Sequence, residues 1–285
     1  MIHYINPNER LTIARVKEIV EGKMTLALSD EAKARIQKCR DYLNRKMETQ
    51  KVPIYGVTTG FGSLCNISIS KEQLSQLQKN LVMSHACGVG DEVPQDVVKL
   101  MLLLKAQNFC FGYSGAQLQT VQRLIDCYNE DVLPVVYQQG SLGASGDLCP
   151  LANLMLPAIL GMGDVYYKGR RCDVKEVYAE KGWQPIELQS KEGLALLNGT
   201  QFMSSYAVWC IMKAQRLSLQ ADMLLSLDRA KTVKQYFVDH GIAADRITTA
   251  GMTKNEIKRA AAAALDKGAG FSGIKVELII TGKKE

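Results

Sequence analysis

The chain has 285 residues, 47% hydrophobic and 22% charged, a composition typical of a globular protein with room for one large or two modest domains. Its net charge of +6 is uneven: from residue 229 onward, eleven Lys and Arg face six Asp and Glu, so five of the six net charges lie in the last fifth. The first 228 residues are near neutral, which argues against a nucleic-acid surface there, and no run approaches the roughly 18 apolar residues of a membrane span. The opening "MIHYINPNER" lacks a basic stretch followed by an apolar one, so a cytoplasmic protein is expected. The eight cysteines contain no C-x-x-C pair and no histidines at zinc spacing, so they read as buried hydrophobes in a reducing compartment, with no metal expected.

In chain order, "SDEAKARIQKCRDYLNRKM" from Ser29 combines a capping serine, early acids and Ala32, Ile36, Cys39, Leu43 and Met47 at helical steps. Residues 51 to 70 break the pattern with Pro53, Gly56, Gly60 and Gly62, predicting a long loop of the kind that often carries function. A second helix follows, with a stripe of Leu74, Leu77, Leu81 and His85 and Gly88 as its stop. Further helices are predicted near 95 to 110 and 114 to 129, then an extended "DVLPVVYQQG". Asp147 is placed to cap the next helix, with Pro150 in its first turn. "VYYKGRRCDV" predicts a hairpin, and a helical pattern runs from Ser190 to about Asp239, weakly interrupted at Gly193 and Gly199. Beyond Gly241 the chain reads as strand, helix, strand.

The stretch "GSLGASGDLCP" from Gly140 leaves little side-chain bulk around Ser145. Three readings are open. It could be a flexible turn before a helix. It could be a serine nucleophile, but the sequence lacks the G-x-S-x-G elbow and a convincing base among His3, His85 and His240. Or, because glycine has no Cβ to obstruct the approach, the Gly146 nitrogen could attack the Ala144 carbonyl and close a ring. A phosphate loop is disfavoured by the missing G-K-[ST] ending and by Asp147.

Four motifs in order, "YGVTTGFG", "QLQKNLVMSHACGVG", "GSLGASGDLCPLA" and "EGLALLNGTQ", resemble the amino-terminal half of the histidine and aromatic amino-acid ammonia-lyases. The resemblance runs to about Asp228 and covers somewhat less than half of that family's usual length. It implies a mainly α fold with small β elements over 1–228. It also implies a cytoplasmic homotetramer acting on an amino acid, with no nucleic acid or membrane as partner. Ala144, Ser145 and Gly146 would form a 4-methylidene-imidazole-5-one (MIO) group, and Tyr55 would remove a β-proton. A phenol ordinarily titrates near about 10, so such a base needs neighbours that favour the phenolate, such as helix N-termini. His85 matches the substrate-selectivity position and looks most like the histidine branch, giving urocanate; tyrosine or phenylalanine elimination and a 2,3-aminomutase reaction are alternatives. Asn198 would contact the electrophile or the substrate carboxylate.

The segment 229–285 departs from this pattern and resembles the second half of an OmpA-like domain, a short α/β tail. Arg229 matches its peptidoglycan-binding arginine, while the H-T-D aspartate of the first half is absent. This adds a further alternative, a truncated fusion that is inactive or that binds peptidoglycan.

Overall fold

The computed structural model describes residues 1–49, 52–60, 69–241, 244–246 and 248–249. These divide into two compact units, one ending at Trp209 and one beginning at Cys210.

The first unit opens with β1 (Ile2–Ile5), α1 (Ile13–Glu21) and β2 (Thr25–Leu28). The two strands pair in parallel, Ile2 with Thr25 through Ile5 with Leu28. Parallel pairing requires a crossover, which α1 supplies. Asn129 extends this ladder: its amide accepts from the Leu26 N–H at 2.7 Å and donates to the Leu26 carbonyl at 2.9 Å.

Helix α2 (Asp30–Thr49) begins where the sequence predicts, with the Ser29 hydroxyl accepting from the Ala32 N–H at 3.1 Å. Helix α3 (Lys71–His85) buries Leu74, Gln78 and Val82. The expected stripe through Leu77, Leu81 and His85 is therefore displaced by one position, and those three are half-buried. The buried glutamine is half satisfied: its Oε1 accepts from the Gly193 N–H at 2.9 Å, while its Nε2 has no hydrogen-bond partner among the described residues. Ala86 rather than Gly88 ends the helix.

Strand β3 (Val89–Glu92) leads to α4 (Gln95–Cys110), followed by α5 (Leu118–Asn129), which starts four residues later than expected. Then come β4 (Leu133–Pro134), β5 (Tyr137–Gln139), α6 (Leu148–Leu160) and the predicted hairpin of β6 (Asp164–Tyr167) and β7 (Arg170–Asp173). β3 pairs with β5, and β4, β6 and β7 form a three-stranded antiparallel sheet. The unit continues through α7 (Val174–Lys181) and α8 (Glu192–Leu197) into α9 (Gln201–Asp239). The break at 198–200 is complete, so the expected helix from Ser190 is two helices.

Helices α4 and α6 are buried on nearly every side, as core helices are. α4 packs against α5, and α3, α6 and α8 pack against one another. The site loop therefore runs directly into the most buried part of the unit.

The second unit comprises α9 from Cys210 onward and a 3-10 turn at Ala244–Arg246. Its helix exposes apolar side chains, Leu217 at 65% and Leu224 at 63% among them. The strand–helix–strand reading of the tail lies almost entirely outside the described residues. Among the described residues no helix is long and apolar enough to cross a membrane.

Candidate functional site

Ala144, Ser145 and Gly146 occupy the loop between β5 and α6, with Ala144 and Ser145 exposed. The loop is tied down at its far end. Gly146 forms a parallel bridge with Gly199, and the Asp147 N–H donates to the Gly199 carbonyl at 2.7 Å. Gly146 has φ +94°, in the left-handed region, and a Cβ there would overlap the Gly199 carbonyl oxygen. Glycine is thus required twice over, by conformation and by contact.

Asp147 is 3% exposed and makes no side-chain cap to its own helix, contrary to the sequence expectation. Its Oδ1 accepts from the Ser141 hydroxyl at 2.9 Å and its Oδ2 from the Met203 N–H at 3.0 Å. The carboxylate therefore caps the first turn of α9 from outside it, where unpaired N–H groups need an acceptor.

Asn198 ends α8, whose two ends are both held by buried charged groups. At the start, Glu192 is fully buried and accepts from the Gln117 N–H, the Thr120 hydroxyl and the Gln189 N–H at 2.8, 2.8 and 2.7 Å. At the end, the Lys105 Nζ, fully buried on α4, donates to the Asn198 carbonyl at 2.8 Å. Burial pulls the Lys105 amine down to about 7. With its carbonyl held, Asn198 keeps an exposed side chain beside the 146–199 bridge. Neither Glu192 nor Lys105 stood out in the sequence; the one signal was a lysine inside the apolar run "LMLLLKAQ".

His85 closes α3. Its Nδ1 lies 2.9 Å from the Leu81 carbonyl, which can only accept, so Nδ1 carries a hydrogen and donates it there. Two residues on, the Cys87 Sγ reaches the Cys149 Sγ at 3.9 Å, and the Gly88 N–H donates to the Asn153 Oδ1 at 3.2 Å. These contacts bring the end of α3 against the first turns of α6, and so toward the Ser145 loop.

Tyr55 sits on a turn stiffened by the two threonines of "YGVTTG". The Thr58 Oγ1 accepts from the Ile54 N–H at 2.9 Å and the Thr59 Oγ1 from the Gly56 N–H at 3.2 Å. Val57 and Thr59 are buried beneath, which leaves Tyr55 59% exposed. The stretch 61–68, with Gly62, which continues the predicted loop, lies outside the described residues. Arg229 is exposed in the second unit, inside α9; that helix runs through Arg229 without starting near it.

The structure thus ties Gly146 and Asp147 to Gly199 through the bridge and the backbone hydrogen bond, places Asn198 next to Gly199 in the chain, and brings the His85 segment to the same helix end. Residues 11–244 match the family model for aromatic amino acid lyases. The histidine ammonia-lyase of Caldanaerobacter subterraneus subsp. tengcongensis is 44% identical over 217 residues, 76% of this chain and 42% of that protein. That of Deinococcus radiodurans is 43% identical over 236 residues, 83% of this chain and 43% of that protein. Among solved structures, Trypanosoma cruzi histidine ammonia-lyase superposes with a TM-score of 0.72 at 33% identity over 82% of this chain and 45% of that one. Streptomyces globisporus tyrosine aminomutase gives 0.73 at 29% identity over 98% of this chain and 55% of that one. The chain spans less than half the length of the curated relatives it matches. With the family match covering both Gly146 and Gly199 and running through Arg229 to residue 244, this chain belongs to the aromatic amino acid lyase family.

Proposed function

We propose that this chain carries the amino-terminal part of a histidine ammonia-lyase-type site, which eliminates ammonia from L-histidine to give urocanate. The observation that carries the reading is the Gly146–Gly199 bridge, which sets the Ala-Ser-Gly triplet beside Asn198. The triplet suits ring closure to a methylidene-imidazolone: Gly146 holds φ +94° with no Cβ beside its nitrogen, and Ser145 is exposed. When formed, that group supplies an electrophile for the substrate amine.

The remaining roles fall to side chains. Tyr55, held outward on its turn, is assigned removal of the β-proton. His85 is assigned recognition of the substrate side chain, with Nδ1 held by the Leu81 carbonyl and Nε2 left for the substrate. Asn198, its carbonyl fixed by Lys105, is assigned the substrate carboxylate or the electrophile.

The reading includes a cytoplasmic homotetramer, as the family resemblance implies; the exposed Leu217 and Leu224 of α9 would suit a contact surface. The segment beyond the family match, which ends at residue 244, is read as an appended tail outside this chemistry; its likeness to the second half of an OmpA-like domain, taken from Arg229, overlaps that match over 229–244. Retention of the chain on cell-wall sacculi, lost in Arg229→Ala, would assign it a binding role instead.

Intact-mass measurement together with a three-substrate assay tests the reading. A loss of two waters located at 144–146 and growth of urocanate absorbance with L-histidine are expected. Ring closure with turnover of tyrosine or phenylalanine alone would move the chain to another branch, a possibility kept open by its likeness to the tyrosine aminomutase. Absence of both ring closure and turnover would mark an inactive fragment.

A further inference from the structure

Two of the eight cysteines meet next to the Ser145 loop. Cys87 follows α3 and is exposed, whereas Cys149 lies in the first turn of α6 and is buried. Their sulfurs are 3.9 Å apart, against about 2.05 Å in a disulfide, a gap within reach of side-chain rotation.

Small residues build this approach. A Cβ on Gly140 would stand 2.5 Å from the Cys149 Sγ, and one on Gly88 would stand 2.6 Å from the Asn153 Oδ1. That same Oδ1 accepts from the Gly88 N–H at 3.2 Å and lies 3.6 Å from the Cys149 Sγ. One asparagine therefore fixes the residue after Cys87 against the turn that bears Cys149.

We propose that Cys87 and Cys149 form a reversible dithiol–disulfide clasp, closed by hydroperoxides, that restrains the Ser145 loop against the end of α3. The exposed Cys87 thiolate attacks the terminal oxygen of a hydroperoxide. The O–O bond breaks, leaving a sulfenic acid on Cys87 and an alkoxide, or hydroxide from hydrogen peroxide, which takes up the proton the Cys87 thiol gave to solvent and departs as an alcohol or water. The Cys149 sulfur then attacks the Cys87 sulfur; the S–O bond breaks, and the departing hydroxide leaves as water with the Cys149 proton. Two thiols are oxidised to one disulfide while the peroxide takes up two electrons. Cys149 is buried, which also raises its thiol above the ordinary range, so first attack on a peroxide falls to the exposed Cys87.

The closed clasp would join the segment just past His85 to a point four residues past Ser145. Its effect is mechanical and independent of whether the chain turns over substrate.

The test treats the whole chain with hydrogen peroxide, then with dithiothreitol, and reads thiols by differential alkylation and peptide mass mapping. A Cys87–Cys149 linked peptide is expected, with two fewer alkylated thiols, fully reversed by dithiothreitol and absent in Cys87→Ser and in Cys149→Ala. Amide exchange over 140–148 should slow roughly tenfold in the oxidised chain relative to the reduced one, and not in either variant. Sulfinic acid on Cys87 without a linked peptide, or linkage to another cysteine, overturns the clasp. A linked peptide with unchanged exchange overturns the restraint.

Discussion

Asp147 and Met203 are 56 residues apart in sequence, yet the carboxylate Oδ2 of one accepts from the backbone N–H of the other at 3.0 Å. That bond makes the loop of Ser145 and the start of α9 a single mechanical unit, and the Asp147 N–H to Gly199 carbonyl bond at 2.7 Å doubles it. Asp147→Ala removes an N-terminal cap and strands the Ser141 hydroxyl and the Met203 N–H, at a cost of about 2–3 kcal/mol. Asp147→Asn, which keeps one good acceptor, should cost about half as much. Urea midpoints of the three proteins measure this, and intact mass should show less two-water loss in the alanine variant. If alanine matched wild type in both, the clamp would have no energetic role.

Gly146→Ala asks for more than a methyl group. The backbone there has φ +94°, and the new Cβ would overlap the Gly199 carbonyl oxygen, so either the loop or the 198–200 break must shift. A stability loss of about 2 kcal/mol is expected from the strain alone. The stronger prediction concerns chemistry: the encoded mass should persist, because the Gly146 nitrogen loses the open approach that ring closure requires. Intact-mass spectrometry reads this directly, and a full two-water loss in the variant would remove the steric argument for the triplet.

Glu192 is a buried carboxylate satisfied by donors from three residues, Gln117, Gln189 and Thr120. Glu192→Gln replaces one accepting oxygen with an NH2 group that must face one of those donors. The expected loss is about 2–3 kcal/mol, because a donor facing a donor in the interior leaves both unpaired. Thermal or urea unfolding checks it. Weakening of the α8 start should also loosen Asn198 at the other end, seen as faster amide exchange over 193–201.

What the sequence made legible follows from the range of the interaction. Ser29 capping α2 and the hairpin of β6 and β7 are local, so their residue types and spacing reveal them. The α3 stripe was misplaced by one position because Gln78 is buried, where the Gly193 N–H, 115 residues away, meets its Oε1. Asp147 misled for the same reason: its sequence neighbours suit a cap to α6, while its partners are Ser141 and Met203. The reading of the triplet rests on its companion motifs, and what the structure adds is the bridge from Gly146 to Gly199. Lys105 was not, since a lysine in an apolar run declares burial only once Asn198 is seen opposite it.

Lys105 offers the sharpest pH prediction. Its amine is fully buried, and burial alone pulls it from an ordinary value of 10.5 to about 7. Between those values the unfolded chain binds a proton that the folded chain does not, so stability rises as pH increases through that window, by up to roughly 5 kcal/mol. Below about pH 7 the folded state must carry the buried charge and the penalty is complete. Lys105→Met removes this dependence but leaves the Asn198 carbonyl without its donor, a loss of about 1–2 kcal/mol. The two curves should therefore cross: the methionine variant is more stable at about pH 6, and wild type is more stable at about pH 10. Lys105→Arg, which keeps its charge throughout, should be destabilised across the whole range and show no such slope. Urea midpoints at several pH values measure all three, and parallel curves for wild type and the methionine variant would sink the account. Because the Lys105 amine reaches the site only through a backbone carbonyl, the methionine variant should also show faster amide exchange at 198–200 while leaving the turn of Tyr55 unchanged.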